Sequence, residues 1–324
     1  MLLVYVDDII ITGSDFVGIG DIIKALTVEF DVKDLGRLHY FLGIQIVSTS
    51  DGLFLSQSRY IHELLVKTDM MAAKSCATPC LAYQRLLKDD GDLFDNPTLY
   101  RSIVGALQYL TFTRPDIAFS VHQICQFMQQ PRVEHFIAVK RILRYLKGTM
   151  DVGISYAKGS LDITAYSDAD WAGDPNDRRS TTGMVIFIGS NPVSWTSKKQ
   201  QTVSRSSTEA EYRALSSTSA ELDWIHQLMV FLGISQTQPP VLYCDNLSAI
   251  ALSFNPIQHQ RTKHIEIDVH FVRERVAKDQ LIVQFVSSKE QFADILTKGL
   301  CSPLFLTHFR NLQLGSFKPV IEGG

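Results

Sequence analysis

From Gly153 onward the apolar residues change rhythm, and that change limits the folds open to this chain more than any other feature. Short β-rich runs come first, at Gly153–Tyr156, Ile163–Ser167, Gly183–Ile188 and Val193–Ser197. A helical pattern then covers about Thr208–Leu232. Strand Val241–Tyr243, helices Leu247–Phe254 and Ile265–Ala277, strand Leu281–Val286 and helix Gln291–Lys298 follow. Successive strands pair as hairpins, whereas strands separated by helices need crossovers. The pattern therefore predicts an α/β (α+β) fold, a mixed sheet flanked by helices, over residues 151–300. The tail, 301–324, shows little periodicity.

The first half reads differently. Leu2–Val6 and Ile9–Thr12 are β-rich runs separated by Asp7-Asp8, which predicts a tight hairpin with carboxylates at its tip. Ile19, Ile22, Ile23, Leu26 and Phe30 share one helical face. Tyr40–Val47 and Leu53–Leu55 flank a second turn, and Tyr60–Val66 forms a short helix. Residues 1–73 make one unit. Residues 74–97, with Pro79, Gly91, Pro97 and the charged run Lys88-Asp89-Asp90, read as a linker. Three helices fill 98–150: about Leu99–Phe112, a second opening at Pro115 and ending before Pro131, and Val133–Lys147. The third carries Arg132, Lys140, Arg141, Arg144 and Lys147 against one acid, Glu134. It is either a solvated face or a phosphate-contacting helix.

Bulk properties exclude several classes. With 45% hydrophobic and 20% charged residues, the 324-residue chain has globular rather than disordered composition. A net charge of -3 counts against a non-specific DNA binder but leaves room for a local basic groove. Five cysteines without a second close pair argue against a zinc site or a disulfide framework, so a reducing compartment is expected. No run reaches the ~18 apolar residues of a membrane span. The apolar start is interrupted by Asp7 and Asp8 and lacks the features of a signal peptide. Because it begins inside what reads as a core strand, a fragment is expected.

Adjacent acids between apolar strands repel unless a cation or hydrogen bonds compensate. Mg²⁺ suits such a pair because it takes carboxylate oxygens together with substrate phosphates. A plain aspartate turn is the alternative. The surrounding run Leu2-Leu3-Val4-Tyr5-Val6-Asp7-Asp8-Ile9-Ile10-Ile11-Thr12-Gly13 resembles the catalytic hairpin of reverse transcriptases, specifically those of copia-type LTR retrotransposons. The likeness continues through Lys33-Asp34-Leu35-Gly36, Tyr40-Phe41-Leu42-Gly43-Ile44, Thr113-Arg114-Pro115-Asp116-Ile117 and Arg141 to Thr149, and reaches about Leu300. The resemblance implies a partial reverse transcriptase palm, a helical connection and a ribonuclease H-like domain with a mixed five-stranded sheet. It implies a third metal-binding aspartate upstream of Asp7 and Asp8, so the chain alone is expected not to polymerise unless another chain supplies the rest. It also implies an intracellular setting, a cytoplasmic particle or the nucleus.

A second set of acids stands at strand ends and in helices: Asp168 after Ile163–Ser167, Glu211 at the start of the long helix, Asp245 after Val241–Tyr243, and Asp294 in the last helix. Asp168 in a turn or Asp245 as a helix cap are the plain alternatives. The order resembles the copia-type ribonuclease H quartet. Four carboxylates can hold two divalent ions about 3.5–4 Å apart, which activate water and stabilise the leaving oxygen. Hard oxygen ligands select Mg²⁺ or Mn²⁺. The resemblance makes Asp168 the bridge between the ions, and the products 5′-phosphate and 3′-hydroxyl ends. Asp170 and Asp174 read as loop acids.

Helix phase separates two glutamates. From Glu211, steps of four and three reach Leu215, Thr218, Leu222, Ile225, Met229 and Leu232, the face expected against the sheet. Glu209 lies off this stripe and completes a Ser206-x-x-Glu209 capping box. His264 and Asp268 form either a helical polar pair or a support for the site. Many ribonucleases H carry a flexible histidine before the last aspartate; here Ser287-Ser288-Lys289-Glu290-Gln291 stands there. Lys198, Lys199, Arg205, Arg261 and Lys263 are candidates for the backbone of an RNA–DNA hybrid, recognised partly through its 2′-hydroxyls. Trp171 and Trp195 are expected in the core. The implied reaction is cleavage of RNA in the hybrid. The rivals are a non-catalytic, element-derived binding module, and another nuclease of the same fold, such as an integrase or a junction resolvase. The run Ser207 to Tyr212 and the copia-like flanks speak against the second.

Overall fold

The computed structural model describes residues 1–82, 84–254 and 265–317. The chain opens with β1 (Leu2–Tyr5) paired to β2 (Asp8–Ile11), Tyr5 opposite Asp8, so that Val6 and Asp7 form the turn. Val6 has φ +50°, a left-handed conformation that a β-branched residue resists. The hairpin is a sheet of two strands, and Leu2, Leu3, Val4 and Tyr5 are all exposed. Helix α1 (Phe16–Glu29) is capped by the Asp15 carboxylate and buries no residue. Its expected apolar face exists, with Ile19, Ile23 and Leu26 half-buried, but no core covers it.

Strands β3 (Tyr40–Phe41), β4 (Ile44–Ser48) and β5 (Gly52–Ser56) run antiparallel and lead into α2 (Ser58–Lys67). The linker segment is not loose. Helix α3 (Pro97–Leu110) starts on Pro97 behind the Asn96 cap. After a 3₁₀ turn at Pro115–Ile117 come α4 (Ala118–Cys125) and α5 (Val133–Gly148). Arg132, Arg141, Arg144 and Lys147 turn to the preceding segment, while Lys140 stays exposed over the Phe136 ring. Arg144 donates to the Lys74 carbonyl, Lys147 to Ala73, and Arg141 to the Thr78 hydroxyl. Arg132 holds the Lys88 and Gly91 carbonyls. Their charge pins the segment that joins the two halves.

Under these helices lies a buried ion pair. Arg114 and Asp116 are fully enclosed and doubly bonded at 2.9 and 2.7 Å. Tyr145 of α5 donates to Asp116 at 2.6 Å, and Arg114 reaches the Thr149 carbonyl at 2.9 Å. Burial disfavours the guanidinium charge, but the Asp116 carboxylate outweighs it and holds Arg114 firmly protonated.

Strand β6 (Val152–Ala157) departs from expectation. It leaves the C-terminal sheet and pairs antiparallel with β5, because Val152 and Ile154 pack into the helical core. The main sheet begins with β7 (Ile163–Asp170), β8 (Thr181–Ile188) and β9 (Asn191–Lys199), followed by α6 (Ser207–Phe231), β10 (Val241–Cys244), α7 (Leu247–Phe254), α8 (Glu266–Ala277) and β11 (Ile282–Phe285). A 3₁₀ turn spans Phe292–Leu296, shorter than the expected helix. The tail is ordered as α9 (Ser302–Asn311) and β12 (Leu314–Ser316), and β12 pairs with β6. Buried Phe305, Leu312 and Leu314 explain why it folds without clear periodicity.

The five-stranded order β11-β10-β7-β8-β9 is mixed: β7, β8 and β9 are antiparallel, while β10 runs parallel to both β7 and β11. Apolar residues of α6, α7 and α8 share one core with Ile163, Ala165 and Ile186. Val185 and Phe187 join the other core with the connecting helices, the second 3₁₀ turn and α9. This is the expected ribonuclease H-like sheet, and it brings the ends of β7 and β10 side by side.

Candidate active site

Asp168 is the sixth residue of β7 and is buried beside its parallel neighbour β10, which Asp245 directly follows. Asp245 is not the helix cap. Asn246 caps α7 by accepting from Ala249 N–H at 3.0 Å, while Asp245 accepts from Ser288 Oγ at 2.8 Å. Ser288 belongs to the histidine-free segment Ser287–Gln291 that precedes Asp294. Glu211 lies on the buried stripe of α6, with Leu215, Thr218, Leu222, Ile225 and Met229. Its carboxylate comes within 3.9 Å of Cys244 Sγ, and oxygens of Glu211 and Asp245 lie within 4.8 Å of each other and of that sulfur.

Asp294 reaches the cluster through a close approach. Gly183 pairs with Asp168 across β7–β8. A Cβ there would sit 2.9 Å from Leu296 Cβ and 3.0 Å from the Ala293 carbonyl, so only glycine lets the 3₁₀ turn lie on the strand. Gln291 anchors the turn by donating to the Ser167 carbonyl at 3.0 Å. Thr297 Oγ1 donates to Asp168 Oδ2, and Lys298 Nζ lies 2.8 Å from Asp294 Oδ1. Sequence pattern alone gives Gly183, Gln291, Thr297 and Lys298 no role at the site. The signal for the last three was their position within four residues of Asp294.

Electrostatics shows that the acids share one space. Burial, then Asp168 and Asp245, push the Glu211 carboxyl up to about 9. Burial and Asp168 push Asp294 up to about 7, against the pull of Lys298. Carboxylates so crowded call for a cation. The four expected residues offer only hard oxygen donors, which fit Mg²⁺ or Mn²⁺.

Glu209 points elsewhere. Its backbone N–H donates to Ser206 Oγ at 3.2 Å, and its carboxylate accepts from Arg205 N–H and pairs with Arg213 at 3.0 Å. Asp170 is the last strand residue of β7 rather than a loop acid; it accepts from Thr181 N–H, and burial raises it to about 7. Asp174 is buried and paired with Lys199 at 2.5 Å. Asp177 takes the same lysine at 2.8 Å, so Lys199 presents little free charge, unlike exposed Lys198 and Arg205. Arg261, Lys263 and His264 lie outside the described residues. Asp268 accepts from Ser216 Oγ at 2.9 Å. Trp195 is half-buried, donating to the Thr111 carbonyl. Trp171, expected in the core, is 52% exposed, with only its indole N–H turned inward to the carbonyl of buried Ser204 at 3.1 Å.

Asp7 and Asp8 stand apart from this cluster, exposed at the hairpin turn. No helix among the described residues is long and apolar enough to cross a membrane.

Residues 1–82 match the family model described as reverse transcriptase (RNA-dependent DNA polymerase). The chain is 48% identical over 323 residues to the retrovirus-related Pol polyprotein from transposon RE2 of Arabidopsis thaliana, covering 99% of this chain and 22% of that protein. It thus spans about a fifth of that polyprotein. It is 33% identical over 225 residues to the putative transposon Ty5-1 protein YCL074W of Saccharomyces cerevisiae, covering 68% of this chain and 73% of that protein. A solved ribonuclease H1, LC11, isolated from compost, aligns with 42% of this chain and 93% of its own, at 19% identity and a TM-score of 0.33. With nearly the whole chain matched at 48% identity to a retrotransposon Pol polyprotein, and 73% of a transposon protein covered at 33%, it belongs to the copia-type retrotransposon Pol family.

Proposed function

We propose that this Pol segment cleaves the RNA strand of an RNA–DNA hybrid at the Asp168–Glu211–Asp245–Asp294 cluster. The observation that carries the reading is the convergence of these acids, held by β7, α6, β10 and the 3₁₀ turn, with Glu211 and Asp294 pushed towards neutrality by burial and then by their acidic neighbours. Two bound Mg²⁺ or Mn²⁺ ions would supply water activation and leaving-group stabilisation. Asp168, central in the cluster and fixed by Thr297, would hold both; the other three would divide between them. Ser288 orients Asp245, and Gln291 sets the turn that presents Asp294. Lys198 of β9 and Arg205, just before α6, both exposed, would contact the hybrid backbone.

The test is cleavage of hybrid against RNA and DNA duplexes in Mg²⁺, with EDTA and Asp168→Asn as controls. Hybrid-selective, EDTA-sensitive cleavage supports the reading. Hybrid binding without cleavage in any divalent ion would favour a binding module instead. For the first hairpin, Asp7 and Asp8 would be two ligands of a polymerase site whose third carboxylate comes from a segment supplied in cis or by another chain. The 324-residue chain alone is therefore expected to extend no primer on an RNA template. Incorporation abolished by Asp7→Asn would overturn that.

A further inference from the structure

Lys298 sits where the carboxylates crowd most. Its Nζ lies 2.8 Å from Asp294 Oδ1 and 3.6 Å from Asp168 Oδ2. The backbone puts it there: Lys298 N–H donates to the Asp294 carbonyl at 3.1 Å, so one turn folds the side chain back over the acid four residues earlier. Asp168 and Asp294 are almost wholly buried, and among the described residues no other lysine or arginine forms an ion pair with either. Two such acids cannot stay charged together without a cation.

We propose that the Lys298 ammonium is a built-in counter-cation of the Asp168–Asp294 edge, held there in the metal-free protein and displaced towards solvent when a divalent ion takes the same oxygens. The inference rests on the reading of Asp168 and Asp294 as metal ligands. An ammonium and a divalent ion compete for the same lone pairs, and two cations on one pair of oxygens repel. The lysine has a way out, since its side chain is 44% exposed and its four-carbon stem is flexible. In this role Lys298 protects the fold before metal arrives and sets a threshold for metal entry. It is a positioning residue that acts through the ligands.

The experiment uses the full chain. Mn²⁺ binding is measured by calorimetry and by electron paramagnetic resonance, and melting is followed without metal, for wild type, Lys298→Met, Lys298→Gln and Lys298→Arg. Both neutral variants should bind Mn²⁺ more tightly, roughly tenfold, once the competing cation is gone. They should also melt lower without metal. Lys298→Arg, which keeps the charge, should stay near wild type in both. Equal or weaker Mn²⁺ binding by whichever neutral variant folds overturns the inference while leaving the metal reading intact. A wild type that shows the expected gap but cleaves no hybrid would remove the nuclease reading and leave the counter-cation standing.

Discussion

The chain carries two sets of acids with opposite surroundings. Asp7 and Asp8 are neighbours in sequence, yet they stand exposed on a two-stranded hairpin beside a helix that buries nothing. Asp168, Glu211, Asp245 and Asp294 are scattered through the C-terminal half, yet a five-stranded sheet gathers them, and three of the four are buried. Proximity along the chain gives two charges that water can screen. Convergence in a low-dielectric frame adds mutual repulsion to the cost of burial, and together they raise Glu211 to about 9. A metal-dependent site needs the second condition, because binding energy for a cation is stored in that repulsion.

The comparison breaks first on activity. Asp168→Asn and Glu211→Gln should each lower hybrid cleavage by orders of magnitude at saturating Mg²⁺, while Asp7→Asn with Asp8→Asn should leave it unchanged. Asp168→Asn should also melt at or above the wild-type temperature without metal, since it removes a repelling charge. Steady-state rates and melts on the three proteins decide this. Loss of hybrid cleavage in the hairpin variant alone would mean that the wrong carboxylates were chosen.

The next largest effect belongs to the frame that joins the two halves. Arg114→Met leaves Asp116 buried without its partner and should cost about 3–5 kcal/mol of stability. Replacing both residues with apolar ones of similar size should cost much less, because the uncompensated charge is then absent. Denaturant titrations of the single and double variants separate the two cases.

Much of this was legible in the sequence, for stateable reasons. Helix phase alone puts Glu211 on the stripe facing the sheet and turns Glu209 about 200° away from it, at 100° per residue. Strand–helix alternation gave the mixed sheet. It could not show that β6 pairs with β5 and β12, because strand partners are set by long-range packing of Val152, Ile154 and Leu314. Nor could it show that the basic face of α5 binds backbone carbonyls: charge pattern gives the donors and says nothing of acceptors. Gly183 looked like any strand residue until the 3₁₀ turn was seen lying on it.

Acid should distinguish the regions too. His308 is fully buried in α9 with neither ring nitrogen hydrogen-bonded, and burial, then Lys298, lower it to about 4. Burial, then Lys199, lower His122 likewise to about 4. In the unfolded chain both titrate near 6.5. Between those values these two imidazoles bind more protons in the unfolded state, so their contribution to stability should fall as pH drops from about 6.5 to about 4, opposed by the raised carboxyls of Asp170, Glu211 and Asp294. His308→Phe should flatten part of that slope. An unchanged slope in a melt-versus-pH series would show that the ring finds a partner in solution.

The smallest effect sharpens the central contrast within a single helix. Glu209 is as buried as Glu211, at 4% against 6% exposure, so burial does not tell them apart. Their partners do. Glu209 accepts from Arg205 N–H at 2.8 Å and pairs with Arg213, so its charge is compensated locally. Glu211 has acids for neighbours and titrates abnormally high. Glu209→Gln keeps an oxygen that can accept from Arg205 N–H and loses only the charge. It should cost about 1 kcal/mol, the scale of a helix cap, and leave hybrid cleavage nearly intact. It should also leave the Mn²⁺ affinity where it was, whereas Glu211→Gln should weaken it. Melting, cleavage and Mn²⁺ titration on the two variants side by side give the answer. If Glu209→Gln proves the inactive protein and Glu211→Gln the active one, then neither helix phase nor the company of acids identifies the ligand.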